Sequence, residues 1–377
     1  MRKVMIAGVG LTRFDRYDGE KGRAEKEFFD LGSEAILAAL KDADMEWSDI
    51  QAAFCGSVYC GTGAGHQVIE RVGLTGIPIV NVENACSSGI SALRLAFQMV
   101  GAGIYDIMIA VGFETMPRGP IKSTSWPLWE RYMGFNLQPA QYAMKTVRFM
   151  EDTGATEEDF ARVSVKNRKN ATLNPNARMQ KEVTLEEVMA SRMVAKPLRL
   201  LHACPLADGG SAMILCSEDK LKKKDKAVEV AAATLTSGFY SSPKVKGADH
   251  ITESANQAFA QSGLGPEDID VVQAYDTMSP AELWDLELLG FCKKGDAPRR
   301  LREGHFNLDG SLPVNTDGGL MGRGHPLGAT ALAQCIELYR QIRGEAGPRQ
   351  IKNGKAKTGL AHAMGAGPNS GVVILKR

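Results

Sequence analysis

The chain repeats itself, and the repeat restricts the fold to one of two similar halves. The segment EAILAALKDADMEWSDIQAAF from Glu34 aligns without a gap with ESANQAFAQSGLGPEDIDVVQ from Glu253. Glu34 meets Glu253, Ala39 meets Ala258, Asp49 meets Asp268 and Ile50 meets Ile269, an offset of 268 − 49 = 219. Each copy reads as an amphipathic helix, a turn, a short acidic segment and an apolar strand. Further along, CSSGISAL from Cys86 aligns with HPLGATAL from His325, an offset of 325 − 86 = 239. Gly89 then meets Gly328, Ala92 meets Ala331 and Leu93 meets Leu332. Fixed-period self-similarity of this kind marks a duplicated architecture.

Two halves related by a pseudo-twofold bring equivalent positions near the axis together. Cys86 and His325 are such a pair, and each stands at the start of a helix. GISALRLAFQMV is almost wholly apolar, so it reads as a buried central helix, and GATALAQCIELYRQI has apolar residues at helical spacing. The repeat thus predicts a cysteine and a histidine at two facing helix N-termini. Cysteine is most often a small buried hydrophobe. A thiol at a helix N-terminus beside an imidazole is instead expected to have a lowered pKa and to act as a nucleophile. His325 can take the thiol proton, Pro326 suits a first helical turn, and the small residues around Cys86 leave room for a substrate carbonyl.

Composition excludes several classes. Lys and Arg number 45 against 44 Asp and Glu, so there is no basic excess for nucleic acid. The seven cysteines are scattered and odd in number; Cys55 and Cys60 have no second pair at metal-ligand spacing. This reads as reduced thiols in a cytoplasmic protein with no metal. No apolar run approaches the ~20 residues of a membrane span. The N-terminal MRKVMIAGVGLTRF is too short in its apolar part for a targeting segment and reads as a first buried strand, Val4–Val9.

NACSSG around Cys86 and GGLMGRGHPLGATA at 318–331 resemble the nucleophile and Gly-His-Pro segments of the thiolase family. PLRLLHACPLADGGSAMIL at 197–215 resembles its strand-returning segment, with Asp208 and Gly209 opening the last strand of the first half. EDIDVVQAYDTMSPAE at 267–282 falls at its catalytic loop. The resemblance covers essentially the whole chain. It implies an α/β fold: a duplicated five-layer αβαβα arrangement with two central sheets and an inserted loop domain. The halves are placed at 1–116 with 197–220 and at 227–377, and the loop domain, covering CoA and the acyl group, at 117–196. It also implies coenzyme A as a substrate, no tightly bound cofactor, and a homodimer or larger assembly.

The nearest subgroup is the sterol-carrier-protein or lipid-transfer type, but two departures stand out. The best-known members carry a second cysteine near the C-terminus, where this chain has LAHAMGAGPNSG with His362. The sterol-carrier type supplies that cysteine from a His-Asp-Cys-Phe loop, which here reads Tyr275-Asp276-Thr277-Met278. The resemblance therefore leaves His362, Tyr275 and Thr277 as candidates for the second acid/base. It assigns an oxyanion hole to backbone N–H groups of Cys86, Gly365 and Gly367, with His325 Nε2 serving a second one. Members in bacteria and archaea often work with a small OB-fold, zinc-ribbon partner subunit.

Within the insert, Trp126, Trp129, Tyr132, Met133, Phe135, Tyr142 and Met144 read as core or subunit interface, and over the site they would suit a bulky or aromatic acyl group. Thr156 and Asp159 read as a capping pair opening a helix whose Lys166, Arg168 and Lys169 read as a solvated face, with CoA phosphates the alternative. KLKKKDK at 220–226 reads as a solvated connection between the halves.

These readings predict an acyl-CoA C-acyltransferase that cleaves a 3-oxoacyl-CoA through a Cys86 acyl-enzyme. The altered loop suggests a branched or aromatic substrate; benzoylsuccinyl-CoA and a steroid side chain are examples. The alternatives are a retro-aldolase acting on a β-hydroxyacyl-CoA and a non-catalytic lipid- or acyl-CoA-binding protein. A β-ketoacyl synthase is disfavoured, because Tyr275 stands where that relative needs a histidine.

Overall fold

A computed structural model of the chain describes residues 1–119, 121, 127–225, 227–239, 249–351, 356–366 and 368–377. Trp126 and Gly367, both singled out above, lie outside the described residues.

The first half contains strands β1 (Val4–Leu11), β2 (Ala52–Gly56), β3 (Ile79–Val82) and β4 (Ile107–Glu114), with helices α1 (Phe28–Ala43), α2 (Ala64–Glu70) and α3 (Ser88–Gly101). The chain then forms helices α4 (Leu128–Tyr132), α5 (Gln138–Thr153), α6 (Glu157–Thr172) and α7 (Leu185–Ala190), and a small hairpin of β5 (Met193–Ala195) and β6 (Leu198–Arg199). It returns to the first half as β7 (Gly209–Ser217). The second half contains β8 (Glu229–Ser237), β9 (Val271–Gln273), β10 (Thr358–Gly365) and β11 (Asn369–Lys376). Its helices are α8 (His250–Ser262), α9 (Ser279–Leu288), α10 (Ala297–Arg302), α11 (Gly319–Arg323) and α12 (Leu327–Arg343).

The duplication is visible in the pairing. The first half runs β3-β2-β4-β7-β1, with β2 parallel to β3 and β4, and β7 antiparallel to β4 and β1. The second half repeats this order: a parallel bridge from Val314 stands beside β9, followed by β10, β11 and β8 with the same senses. The two expected sheets are in fact joined. Their equivalent edges β1 and β8 touch through the pair Met5 and Glu229, and Ile6 N–H donates to Val228 O at 2.9 Å, making one nine-stranded sheet.

α3 and α12 pack on each other and on strands of both halves, while α1 and α2 cover the first half and α8 covers the second. A helix that is apolar on most of its circumference must be buried on most of it. Both central helices obey this, α12 having only Arg340 and Arg343 outside its buried set.

The glycines that matched in the repeat explain how close the helices come. A Cβ on Gly89 would lie 2.6 Å from Gly328 O, and one on Gly112 would lie 2.2 Å from the same oxygen. A Cβ on Gly328 would lie 2.5 Å from both Gly56 O and Phe113 O. These neighbours are backbone atoms and cannot swing aside. Gly328→Ala is therefore expected to destabilise the fold by about 3 kcal/mol, as overpacking of a rigid contact does. The midpoint of a urea titration measures the loss; an unchanged midpoint would show that the helix start can shift.

In the insert, Thr156 caps α6 as expected: Asp159 N–H donates to Thr156 Oγ1, and Thr156 N–H donates to Asp159 Oδ2. The reading of a solvated basic face on this helix is corrected. Lys166 is buried and bonds Glu282 at 3.1 Å, Asn167 Oδ1 at 2.6 Å and Val314 O at 2.9 Å. Arg168 is also buried and donates to Lys181 O, so only Lys169 of the three is exposed. Burying a charge is tolerable only with such partners, and the charged one, Glu282, lies across the interface on α9, where the spacing of α6 gave no sign of it. Among the described residues, no helix is long and apolar enough to cross a membrane.

Candidate active site

Cys86 and His325 occupy the same position in the two halves. Each stands one residue before the N-cap of a central helix, Ser87 for α3 and Pro326 for α12. The approach to Cys86 is a sharp turn with Ala85 at φ 48°, in the left-handed region that costs a Cβ-bearing residue energy. Glu83 Oε1 accepts from Ala85 N–H at 2.7 Å, and Ser88 Oγ donates to Ala85 O at 2.6 Å, so the turn is held on both sides. Cys86 and His325 line a cavity of about 780 Å³, together with Tyr275, Thr277, Cys204 and Ala366.

The protonation of His325 follows from its partners. Thr330 Oγ1 donates its only proton to Pro326 O at 2.8 Å, so it must accept at the 2.8 Å contact with His325 Nδ1. Nδ1 therefore carries the ring hydrogen, and Nε2 presents its lone pair to the cavity. Tyr275 Oη lies 3.3 Å from that Nε2 and donates to it. Burial, helped by the Arg323 charge, pushes the His325 imidazolium down to about 3, so the ring is neutral at pH 7.

The expected lowering of the Cys86 pKa is overturned. Burial pushes the thiol up to about 11, against the hydrogen bond that Tyr275 offers the thiolate and backbone donors at Cys86 and Ala366; the Glu114 charge raises it further. The helix N-terminus is outweighed because the sulfur is almost fully out of water and the imidazole beside it is neutral. At rest the site is a neutral thiol–tyrosine–imidazole chain, with the Tyr275 hydroxyl bonded to both ends.

The other expected residues divide. Thr277 reaches the cavity. Asp276 turns away: its carboxylate accepts from Leu320 N–H at 2.7 Å, Met321 N–H at 3.2 Å and Asn167 Nδ2 at 2.8 Å. Burial and the nearby Glu282 charge push Asp276 up to about 7. His362 is not brought to the cavity. Its Nδ1 lies 2.8 Å from Asp285 Oδ2 and its Nε2 lies 3.0 Å from Ser370 Oγ, so neither nitrogen is left for a substrate. The same Asp285 oxygen accepts from Tyr275 N–H at 3.1 Å, which places His362 behind the tyrosine loop as a support. Gly365 packs against Asn84, where a Cβ would lie 2.3 Å from Asn84 O, and its neighbour Ala366 supplies the N–H directed at Cys86.

The sequence reading missed three groups. Thr330 fixes the histidine tautomer. Glu114, at the end of β4, is buried and accepts from Val58 N–H at 3.0 Å, Tyr59 N–H at 2.8 Å and Gly328 N–H at 3.1 Å, tying the start of α12 to the cavity wall. Burial pushes its carboxyl up to about 7. Cys204 also lines the cavity, brought there by the segment after β6.

The thiolase N-terminal domain family matches residues 4–219, and the thiolase C-terminal domain-like family matches residues 231–377. The chain belongs to the thiolase family. Among its relatives, an acetyl-CoA acetyltransferase of Methanothermobacter thermautotrophicus is 39% identical, covering 100% of both chains. The benzoylsuccinyl-CoA thiolase subunit BbsB of Thauera aromatica is 38% identical over 97% of this chain and 95% of its own. Sterol carrier protein 2 of Bos taurus is also 38% identical, over 99% of this chain and 72% of its own. A solved structure titled Ltp2-ChsH2(DUF35) aldolase matches with a TM-score of 0.86 at 29% identity, covering 99% of this chain and 98% of that one. Human mitochondrial 3-ketoacyl-CoA thiolase in complex with CoA shares the fold, with a TM-score of 0.73 at 18% identity over 100% and 98% of the two chains. This thiolase is thus an acyltransferase of the sterol-carrier-protein-like branch.

Proposed function

We propose that this thiolase cleaves 3-oxoacyl-CoA substrates with a branched or aromatic acyl group, using free CoA and a Cys86 acyl-enzyme. The observation that carries this is the neutral Cys86–Tyr275–His325 chain opening on a cavity of about 780 Å³ whose walls include Val58, Ile121, Leu206, Met278 and Leu327. That volume suits a drug-sized ligand. The relative named as a benzoylsuccinyl-CoA thiolase subunit supports an aromatic substrate.

Cys86 sulfur attacks the 3-keto carbon as its proton passes to Tyr275 and the tyrosine proton passes to His325 Nε2. The N–H groups of Cys86 and Ala366 stabilise the oxyanion that forms. Collapse breaks the C2–C3 bond and leaves the acyl group on Cys86. CoA sulfur then displaces it, and Cys86 regains its proton from His325 through Tyr275. His362 and Asp285 hold the tyrosine loop in place, and Gly365 allows the Ala366 turn to approach the sulfur.

Turnover of a panel of 3-oxoacyl-CoAs with free CoA tests the substrate class. A higher kcat/KM for aromatic or branched members than for acetoacetyl-CoA is expected; preference for acetoacetyl-CoA would contradict it. A second reading is favoured by the tyrosine donating to a neutral imidazole. That pair can also take the proton of a β-hydroxyl, and a structural neighbour is titled an aldolase. Cleavage of a β-hydroxyacyl-CoA without added CoA would select it.

We also propose an assembly with a small OB-fold, zinc-ribbon partner. Exposed Leu128, Trp129, Tyr132 and Met133 cluster on one short segment, and the neighbour's title pairs Ltp2 with a DUF35 protein. Pairing between two copies is supported by β3, an edge strand with Val80 exposed.

A further inference from the structure

Breaking the C2–C3 bond leaves an electron pair on C2, and some group must deliver a proton there. Tyr275 and His325 are committed to the sulfur of Cys86. His362 is bonded on both nitrogens outside the cavity. Glu83 lies at the exposed rim and holds the Ala85 turn.

Cys204 lines the same cavity, and it is built in. Its N–H donates to Thr277 O at 3.0 Å, and Ala203 pairs with Met278 in an antiparallel bridge. Its Sγ lies 3.5 Å from Thr277 Oγ1. A thiol from the first half is thereby laid beside the catalytic-loop residue of the second half. Cys86 and Tyr275 line the cavity into which this pair is set.

We propose that Cys204 is the second catalytic thiol, the acid and base acting at C2 of the departing acyl-CoA. This rests on the thiolase reading above. The Cys204 S–H proton goes to C2 of the enolate, which leaves as a neutral acyl-CoA, and Cys204 becomes a thiolate. That thiolate takes the proton from the CoA thiol, CoA sulfur attacks the Cys86 thioester, and both cysteines return to their starting state. Thr277 Oγ1 positions the sulfur throughout.

Two measurements with acetyl-CoA separate the roles: acetylation of Cys86 by intact mass, and exchange of the acetyl methyl protons with D₂O by NMR. Cys204→Ala is expected still to form acetyl-Cys86, more slowly because the same thiol serves the CoA sulfur, and to lose exchange by roughly 100-fold or more, the usual contribution of a positioned acid/base. Exchange at the wild-type rate in this variant would overturn the proposal. If Cys204→Ala loses acetylation as well, Cys204→Ser decides: acetylation without exchange supports the proposal, and loss of both overturns it by making the residue structural. Failure of the wild type to acetylate Cys86 would instead remove the thiolase reading on which the proposal rests.

Discussion

Cys86→Ala is expected to lower kcat for thiolysis by roughly 10⁴-fold or more, as removal of a covalent nucleophile does. Cys204, which also lines the cavity, is held beside Thr277 and does not take its place. The fold should survive. Cys86 precedes the helix, and the caps of α3 are made by backbone bonds from Ser87 and Ser88 that do not involve the sulfur. Circular dichroism and steady-state turnover check the two halves of the prediction, and turnover within tenfold of wild type would contradict it.

Tyr275→Phe is expected to lower kcat by about 10²- to 10³-fold, because it cuts the hydrogen-bonded path between thiol and imidazole. It also changes a pH profile in a stated direction. The tyrosine hydrogen bond lowers the Cys86 pKa, so its loss raises it further. Iodoacetamide alkylation of Cys86 follows the thiolate fraction. In the wild type it should rise about tenfold per pH unit up to about 11; in Tyr275→Phe the same curve should move to higher pH. A curve moved to lower pH would show that the hydroxyl does not donate to the thiolate. Because the ring still fills its buried place between His325 and His362, the loss is read as chemistry rather than unfolding.

The repeat made much of this legible. Gly89 and Gly328 matched in sequence because each allows the other's helix start to approach, and that approach sets Cys86 and His325 at one cavity. Symmetry carries no information about groups present in one half only. Tyr275 and Cys204 each belong to a single half, and the role of Thr330, which aligns with Ser91, depends on which atom faces which. Thr330 reads in sequence as an ordinary helix residue, although its one hydroxyl proton decides the histidine tautomer. His362 is a suitable acid/base by residue type, but two hydrogen bonds withdraw it, and no spacing could announce them. The thiol was misjudged for a related reason: a helix N-terminus can be read from sequence, whereas the dehydration that outweighs it cannot.

The most direct test of the account is the intact mass of wild type and Cys86→Ala after incubation with 3-oxoacyl-CoAs in the absence of free CoA. The account predicts an acyl adduct on wild type alone, with a mass that identifies the acyl group. No adduct with any member, together with equal cleavage of a β-hydroxyacyl-CoA by both proteins, would contradict it.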